Sequence, residues 1–171
     1  MIAAILAGGR SRRMGTDKAM VDFRGEPLIA RPIAAARAAG LEPVAIAKAP
    51  LPLDIPTWID AYETSHPLSG LVTALERGPV VAIACDQPFV TPELLAGLAA
   101  CEGFAITRDE PFPGRYEPSP ILQAALAEEA SMRATLEKLQ PAVIDADPRL
   151  VRSLNTPAEL KEGLTPFNFE A

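Results

Sequence analysis

Two cysteines and one histidine in 171 residues leave little from which to build a metal cage or a disulfide framework. Cys85 and Cys101 fall in no paired metal-ligand spacing, so a structural zinc site and a cystine scaffold are both excluded. Basic residues are outnumbered by acidic ones, 16 to 22, and the formal charge of −6 argues against a nucleic-acid surface. Long hydrophobic runs are also missing. The apolar start Met1 to Leu6 lacks a basic leader and is far shorter than a membrane span. It reads as a buried parallel strand of a cytoplasmic protein that engages no membrane. With no internal repeat, low-complexity stretch or linker, residues 1–171 are expected to form a single domain. An acidic, alanine-rich chain of this size is expected to be a monomer or weak dimer.

What is present is an alternation of short apolar runs with helical stretches, the pattern of an α/β protein whose mostly parallel central sheet lies between two helical layers. Strands are predicted at Ile2 to Leu6, Pro43 to Ala47, Thr57 to Ile59, Val80 to Cys85, Phe104 to Thr107 and Ala142 to Ile144. Helices are predicted at Pro27 to Ala39, Leu68 to Arg77, Pro92 to Ala100, Ile121 to Glu129, Met132 to Leu139 and Pro157 to Glu162. Thr91, Ser131 and Thr156 supply hydroxyl caps, twice with proline at the first helical position. The segment Asp109 to Pro120 carries four prolines and Gly114, and reads as a long irregular piece suited to lining a substrate pocket.

The most informative stretch follows the first predicted strand. Residues 6 to 18 read Leu-Ala-Gly-Gly-Arg-Ser-Arg-Arg-Met-Gly-Thr-Asp-Lys. Glycines let the backbone approach an anion closely, so successive N–H groups can face phosphate oxygens while Arg13 and Lys18 neutralise charge. Neither the Gly-x-Gly-x-x-Gly dinucleotide pattern nor the Walker pattern is present. The loop is a local positive site on an acidic protein, which suits one small polyanion such as a nucleoside triphosphate.

Ligands of open α/β sheets bind beyond the carboxyl ends of the strands, and two carboxylates fall there: Asp60 after Trp58-Ile59, and Asp86 after the run Val81 to Cys85. A carboxylate at the end of a buried strand is costly to leave unpaired, so Asp86 needs a ring of donors or a cation. Mg²⁺ is the natural one, since it takes one or two carboxylates together with triphosphate oxygens and water. The other reading makes Asp86 a turn former in Asp-Gln-Pro. His66 precedes Pro67, and a loop residue at a helix start is favoured over a catalytic base, because phosphoryl transfer needs positioning and charge stabilisation more than a base. Asn155 and Thr156 read locally as a cap for the last helix, and the catalytic alternative for Asn155 comes only from resemblance to a family.

The first loop, continued by Gly25-Glu26-Pro27-Leu28, together with Cys85-Asp86-Gln87-Pro88-Phe89, resembles the signature of the molybdenum cofactor guanylyltransferases. That resemblance implies a three-layer αβα, Rossmann-like nucleotidyltransferase fold. It implies transfer of GMP from GTP to molybdenum-bearing molybdopterin, with pyrophosphate released. It implies catalytic roles for Arg13, Lys18, Asp86 and Asn155, nucleotide contacts from Leu6, Ala7, Gly8, Gly9, Lys18, Asp60 and Asp86, and Mg²⁺ on Asp86. The family's turn Gly-Pro-Leu-x-Gly becomes His66-Pro67-Leu68-Ser69-Gly70 here, Ser153 stands where the family has an asparagine, and Lys48 follows the second strand where an asparagine near the guanine is common. Two rivals stay open: a related nucleotidyltransferase using CTP or a sugar-phosphate acceptor, and a regulatory nucleotide-binding module without turnover.

Overall fold

The apolar runs pair side by side, each continuing the ladder of its neighbour. A computed structural model describes residues 1–8, 18–64, 66–108 and 110–163. Gly9, Arg13, the rest of the glycine-rich loop through Asp17, and Asp109 lie outside the described residues. Strands β1 (Ile2–Leu6), β4 (Glu42–Ala47), β5 (Thr57–Ile59), β6 (Val80–Ala84), β7 (Ala105–Thr107), β8 (Glu110–Tyr116) and β9 (Ala142–Ile144) form one sheet of order β5-β4-β1-β6-β8-β7-β9. All neighbours are parallel except at β8, which runs antiparallel to both β6 and β7. A small hairpin, β2 (Asp22–Phe23) with β3 (Glu26–Pro27), stands apart.

Helices cover both faces, as the alternating strand pattern requires. Ala3 and Ile5 of β1, with Val81 and Ile83 of β6, pack against α1 (Ala30–Ala38) and α3 (Pro92–Ala100). Ala4, Val44, Ile46 and Ala82 face the other way, toward α2 (Pro67–Leu75), α4 (Pro120–Ala127) and α5 (Met132–Leu139). A sixth helix, α6 (Pro157–Glu162), ends the described chain. Among the described residues no helix is long and apolar enough to cross a membrane.

Two expectations are corrected. The segment expected to be irregular from Asp109 onward is largely strand β8. Its prolines, Pro111 and Pro113, sit ahead of the residues that pair with β6, namely Gly114, Arg115 and Tyr116, so no ladder donor is missing there. Gly114 is required by close approach: a Cβ would lie 2.7 Å from the Pro111 carbonyl oxygen and 2.8 Å from the Tyr116 ring. The first helix starts at Ala30 instead of Pro27. Arg24 and Gly25 both adopt positive φ, 61° and 84°, which turns the chain into a hairpin, and Leu28 and Ile29 then donate to the carbonyls of Val21 and Ala19.

Candidate active site

At the carboxyl end of β6 the chain turns sharply. The Gln87 N–H donates to the Ala84 carbonyl at 3.2 Å, and Asp86 is lifted to the sheet rim. Lys18, which opens a short 3₁₀ turn (Lys18–Met20) where the described chain resumes after the glycine-rich loop, ion-pairs with Asp86 Oδ2. Its ammonium also donates to Asn155 Oδ1 at 2.7 Å. Three residues from distant parts of the sequence therefore meet at one point, and all three are sequence candidates.

The two readings of Asn155 separate here. Thr156 is the cap of α6: its hydroxyl accepts from the Glu159 N–H at 3.2 Å, and the Glu159 carboxylate accepts in return from the Thr156 N–H at 2.9 Å. The same carboxylate accepts from the Asn155 N–H at 2.5 Å, which holds the Glu159 carboxyl below its ordinary range. The cap is complete without the Asn155 side chain, which faces Lys18.

Asp86 offers a metal its other oxygen. Oδ1 is buried and has no hydrogen-bond partner, a state that costs free energy unless something occupies it. Among the described residues no cluster of three or more His, Cys, Asp or Glu could hold a metal by itself. A cation here would rest on Asp86 and draw its remaining ligands from phosphate and water, which is how Mg²⁺ is commonly bound, so the donor set fits.

A second polar node lies on the other side of β1, beyond β4 and β5. Asp60 is buried, 3% exposed, and its carboxylate is already committed. It accepts from Ser69 Oγ at 2.7 Å, Tyr62 N at 3.1 Å and Thr73 Oγ1 at 3.4 Å, and pairs with Lys48 Nζ at 2.8 Å. Lys48 also donates to the carbonyls of Tyr62 and Thr64. Four donors roughly fill what a carboxylate can accept. Gly8 passes close by, where a Cβ would be 3.8 Å from Asp60 Oδ2, so the exit of β1 runs against this node. The backbone of Leu6 and Ala7 is tied down by the N–H groups of Cys85, donating to the Leu6 carbonyl, and of Ala7, donating to the Ile46 carbonyl. His66 caps α2, its Nδ1 accepting from the Leu68 N–H at 3.2 Å, in agreement with its position before Pro67.

Lys48, Ser69 and Thr73 did not stand out in the sequence as partners of Asp60. The one available signal was the i, i+4 spacing of Ser69 and Thr73, which puts two hydroxyls on one face of α2. Glu159 did not stand out in the sequence as a support for Asn155; the available signal was the Thr-Pro-Ala-Glu spacing from Thr156, which is that of a capping box.

An open, mostly parallel sheet with a glycine-rich sequence after β1 and a carboxylate at the end of the neighbouring β6 is the arrangement of a nucleotide-binding α/β protein. Solved structures agree: the chain superposes on molybdopterin-guanine dinucleotide biosynthesis protein A from Archaeoglobus fulgidus with a TM-score of 0.77 and 26% identity, covering 95% of this chain and 96% of that one. The sequence is 32% identical to a molybdenum cofactor guanylyltransferase of Pseudomonas putida over 92% of this chain and 94% of the relative. It is 36% identical over 105 residues to a molybdenum cofactor biosynthesis bifunctional protein of Synechocystis, of whose length the match spans 30%. The profile of the MobA-like NTP transferase domain matches residues 3–151, and the chain belongs to that family.

Proposed function

We propose that the chain transfers GMP from GTP to molybdenum-bearing molybdopterin, forming the guanine dinucleotide cofactor and pyrophosphate. The observation that carries this reading is the convergence of Lys18, Asp86 and Asn155 at the carboxyl end of β6, on a fold whose relatives include named guanylyltransferases. An oxygen of the pterin's terminal phosphate attacks the α-phosphorus, the bond to the β-phosphate bridging oxygen breaks, and pyrophosphate leaves with that electron pair. No base is needed, since a phosphate monoester is largely ionised at neutral pH.

Lys18 presents its ammonium beside Asp86 and meets the charge that spreads over the transferred group. Arg13, outside the described residues, is the second cation the sequence offers for that charge. Asn155, fixed through Glu159, holds the Lys18 ammonium at its place. Asp86, whose Oδ1 has no partner, would hold Mg²⁺, and the ion would supply Lewis-acid stabilisation of phosphate oxygens. The Asp60 node, at the end of β5 and against the exit of β1, and Asp86, at the end of β6, both lie at the carboxyl ends of the parallel strands, where a base and a triphosphate of one nucleotide could be held by different parts of the same rim.

A second reading, a different base, is favoured by one observation: the Asp60 carboxylate already takes four donors, and Lys48 holds it. Pyrophosphate release from GTP, CTP, ATP and UTP, with molybdopterin and with sugar phosphates as acceptors, decides between them. GTP with molybdopterin is the expected pair, and a preference for another triphosphate or acceptor overturns it.

A further inference from the structure

Gln87 has no role in the reaction as described, yet it is 1% exposed and directly follows Asp86. A buried amide is expensive unless every polar atom is met. Here each is met by a different piece of backbone. Gln87 Oε1 accepts from the Ala84 N–H at 3.2 Å; its Nε2 donates to the carbonyls of Phe112 at 2.6 Å and Val151 at 2.8 Å. One amide thus joins the end of β6, strand β8 and the segment that leads to Asn155.

The connection to Asn155 has two rungs. The Leu154 N–H donates to the Asp86 carbonyl at 2.9 Å, and three residues earlier the Val151 carbonyl takes the Gln87 amide. Segment 151–154 is thereby laid along the Asp86 turn, and Asn155 emerges from it opposite Lys18. We propose that Gln87 is a positioning residue, whose amide holds the Asp86 turn and the Val151–Leu154 segment in the register that lets Asp86 and Asn155 grip the same lysine. This inference rests on the nucleotidyl-transfer reading for its kinetic consequence, although the register itself does not depend on it.

No other side chain of this size does the same work. Glutamate would put a carboxylate oxygen against two carbonyl oxygens, methionine would leave both carbonyls and the Ala84 N–H without the amide, and asparagine is one methylene short. Removing the amide alone leaves buried backbone groups of three segments unmet, so its loss frees those segments from one another as well as costing stability.

The test uses Gln87→Met in the full chain, with Gln87→Asn as the milder substitute should the first fail to fold. In the folded variant, kcat is expected to fall about 30-fold with KM for GTP changed less than about threefold, because alignment is lost and ground-state binding is kept. The double variant with Asn155→Ala is expected to be little worse than the worse single one, since both act on one unit. Independently of turnover, amide exchange at Leu154 is expected to quicken about tenfold while Ala4 and Ile5 of β1 stay protected. Unchanged exchange at Leu154, additive losses, a kcat near wild type, or failure of both variants to fold would each overturn the proposal. A wild type that does not use GTP and molybdopterin overturns the guanylyl reading instead, and the exchange result then decides the role of Gln87.

Discussion

Asp86→Ala separates the demands of the fold from those of the reaction. The Asp86 and Lys18 side chains are 13% and 15% exposed, so the pair is mostly shielded from solvent. Breaking a buried pair costs about 3–5 kcal/mol when the remaining charge is left unmet. Lys18 keeps Asn155 as an acceptor, which moves the cost to the lower end. The substitution also removes Oδ1, a buried oxygen without a partner, whose burial costs ~1–3 kcal/mol. The two effects oppose each other, and the net loss should be about 1–2 kcal/mol, or ~2–8 °C in Tm for a chain of this length. Against a typical stability of ~5–15 kcal/mol the variant stays folded at 25 °C. Turnover is another matter. Losing the carboxylate removes the anchor for a divalent cation and the partner that orients Lys18, so kcat should fall about a thousandfold, equivalent to ~4 kcal/mol of barrier. Pyrophosphate release at saturating GTP and thermal melting on the same preparation measure both quantities. A variant that retains more than about a tenth of wild-type kcat, less than ~1.4 kcal/mol, would refute the assignment.

Lys18→Met should weaken GTP far more than guanosine and by a salt-dependent amount, because it removes a point charge aimed at phosphate; calorimetry at two ionic strengths checks this, and equal losses for both ligands would place Lys18 elsewhere. Asp60→Ala strips an acceptor from Lys48, Ser69, Thr73 and Tyr62, so it should both lower Tm and erode the preference for GTP in competition with CTP and ATP. The stability cost should be about 2–3 kcal/mol, below the usual loss for a broken buried pair, because Lys48 keeps two carbonyl partners. Glu159→Gln tests the support of Asn155 through pH. The backbone N–H of Asn155, and then that of Thr156, lowers the Glu159 pKa on folding, so its stabilisation is present above its ordinary value of 4.5 and is lost as pH falls through the folded value. Melting curves of wild type and variant should therefore differ at pH 7 and converge as pH falls through the folded value, and a constant gap would exclude the effect.

The parts of the fold that were legible are those set by local pattern. The run Ile2 to Leu6, the strand ending before Asp86 and the hydroxyl caps at Thr91, Ser131 and Thr156 each depend on neighbours in sequence, and each is found where the pattern puts it. Strand β8 was hidden because proline and glycine signal breaks, whereas here they precede the paired residues or fill a place too tight for a Cβ. The hairpin at Arg24-Gly25 was hidden because an arginine at positive φ carries no propensity signal. Of the site, Lys18 and Asp86 were legible by type and position and Asn155 only through the family resemblance; the commitment of Asp60 to Lys48 and α2 was not, since it is made by residues 12, 9 and 13 positions away whose partners only folding selects.

The polar groups at the β6 rim do not hold themselves together. Beneath them lies a separate apolar cluster of Phe23, Leu28, Leu154 and Leu160, with Phe89 packed edge-on against Phe23 at 6.1 Å between ring centres. Each member comes from a segment that carries a site residue: the hairpin that follows Lys18, the turn after Asp86, and the stretch on either side of Asn155. Fully burying such side chains is worth about 1.5–3 kcal/mol each, whereas forming a largely shielded ion pair such as Lys18–Asp86 returns little net free energy, because desolvation offsets the attraction. The hydrophobic contacts therefore bring the three segments together, and the polar contacts fix their register. A cavity made in this cluster, as by Leu154→Ala, should loosen the meeting of Lys18, Asp86 and Asn155 without removing any of the three.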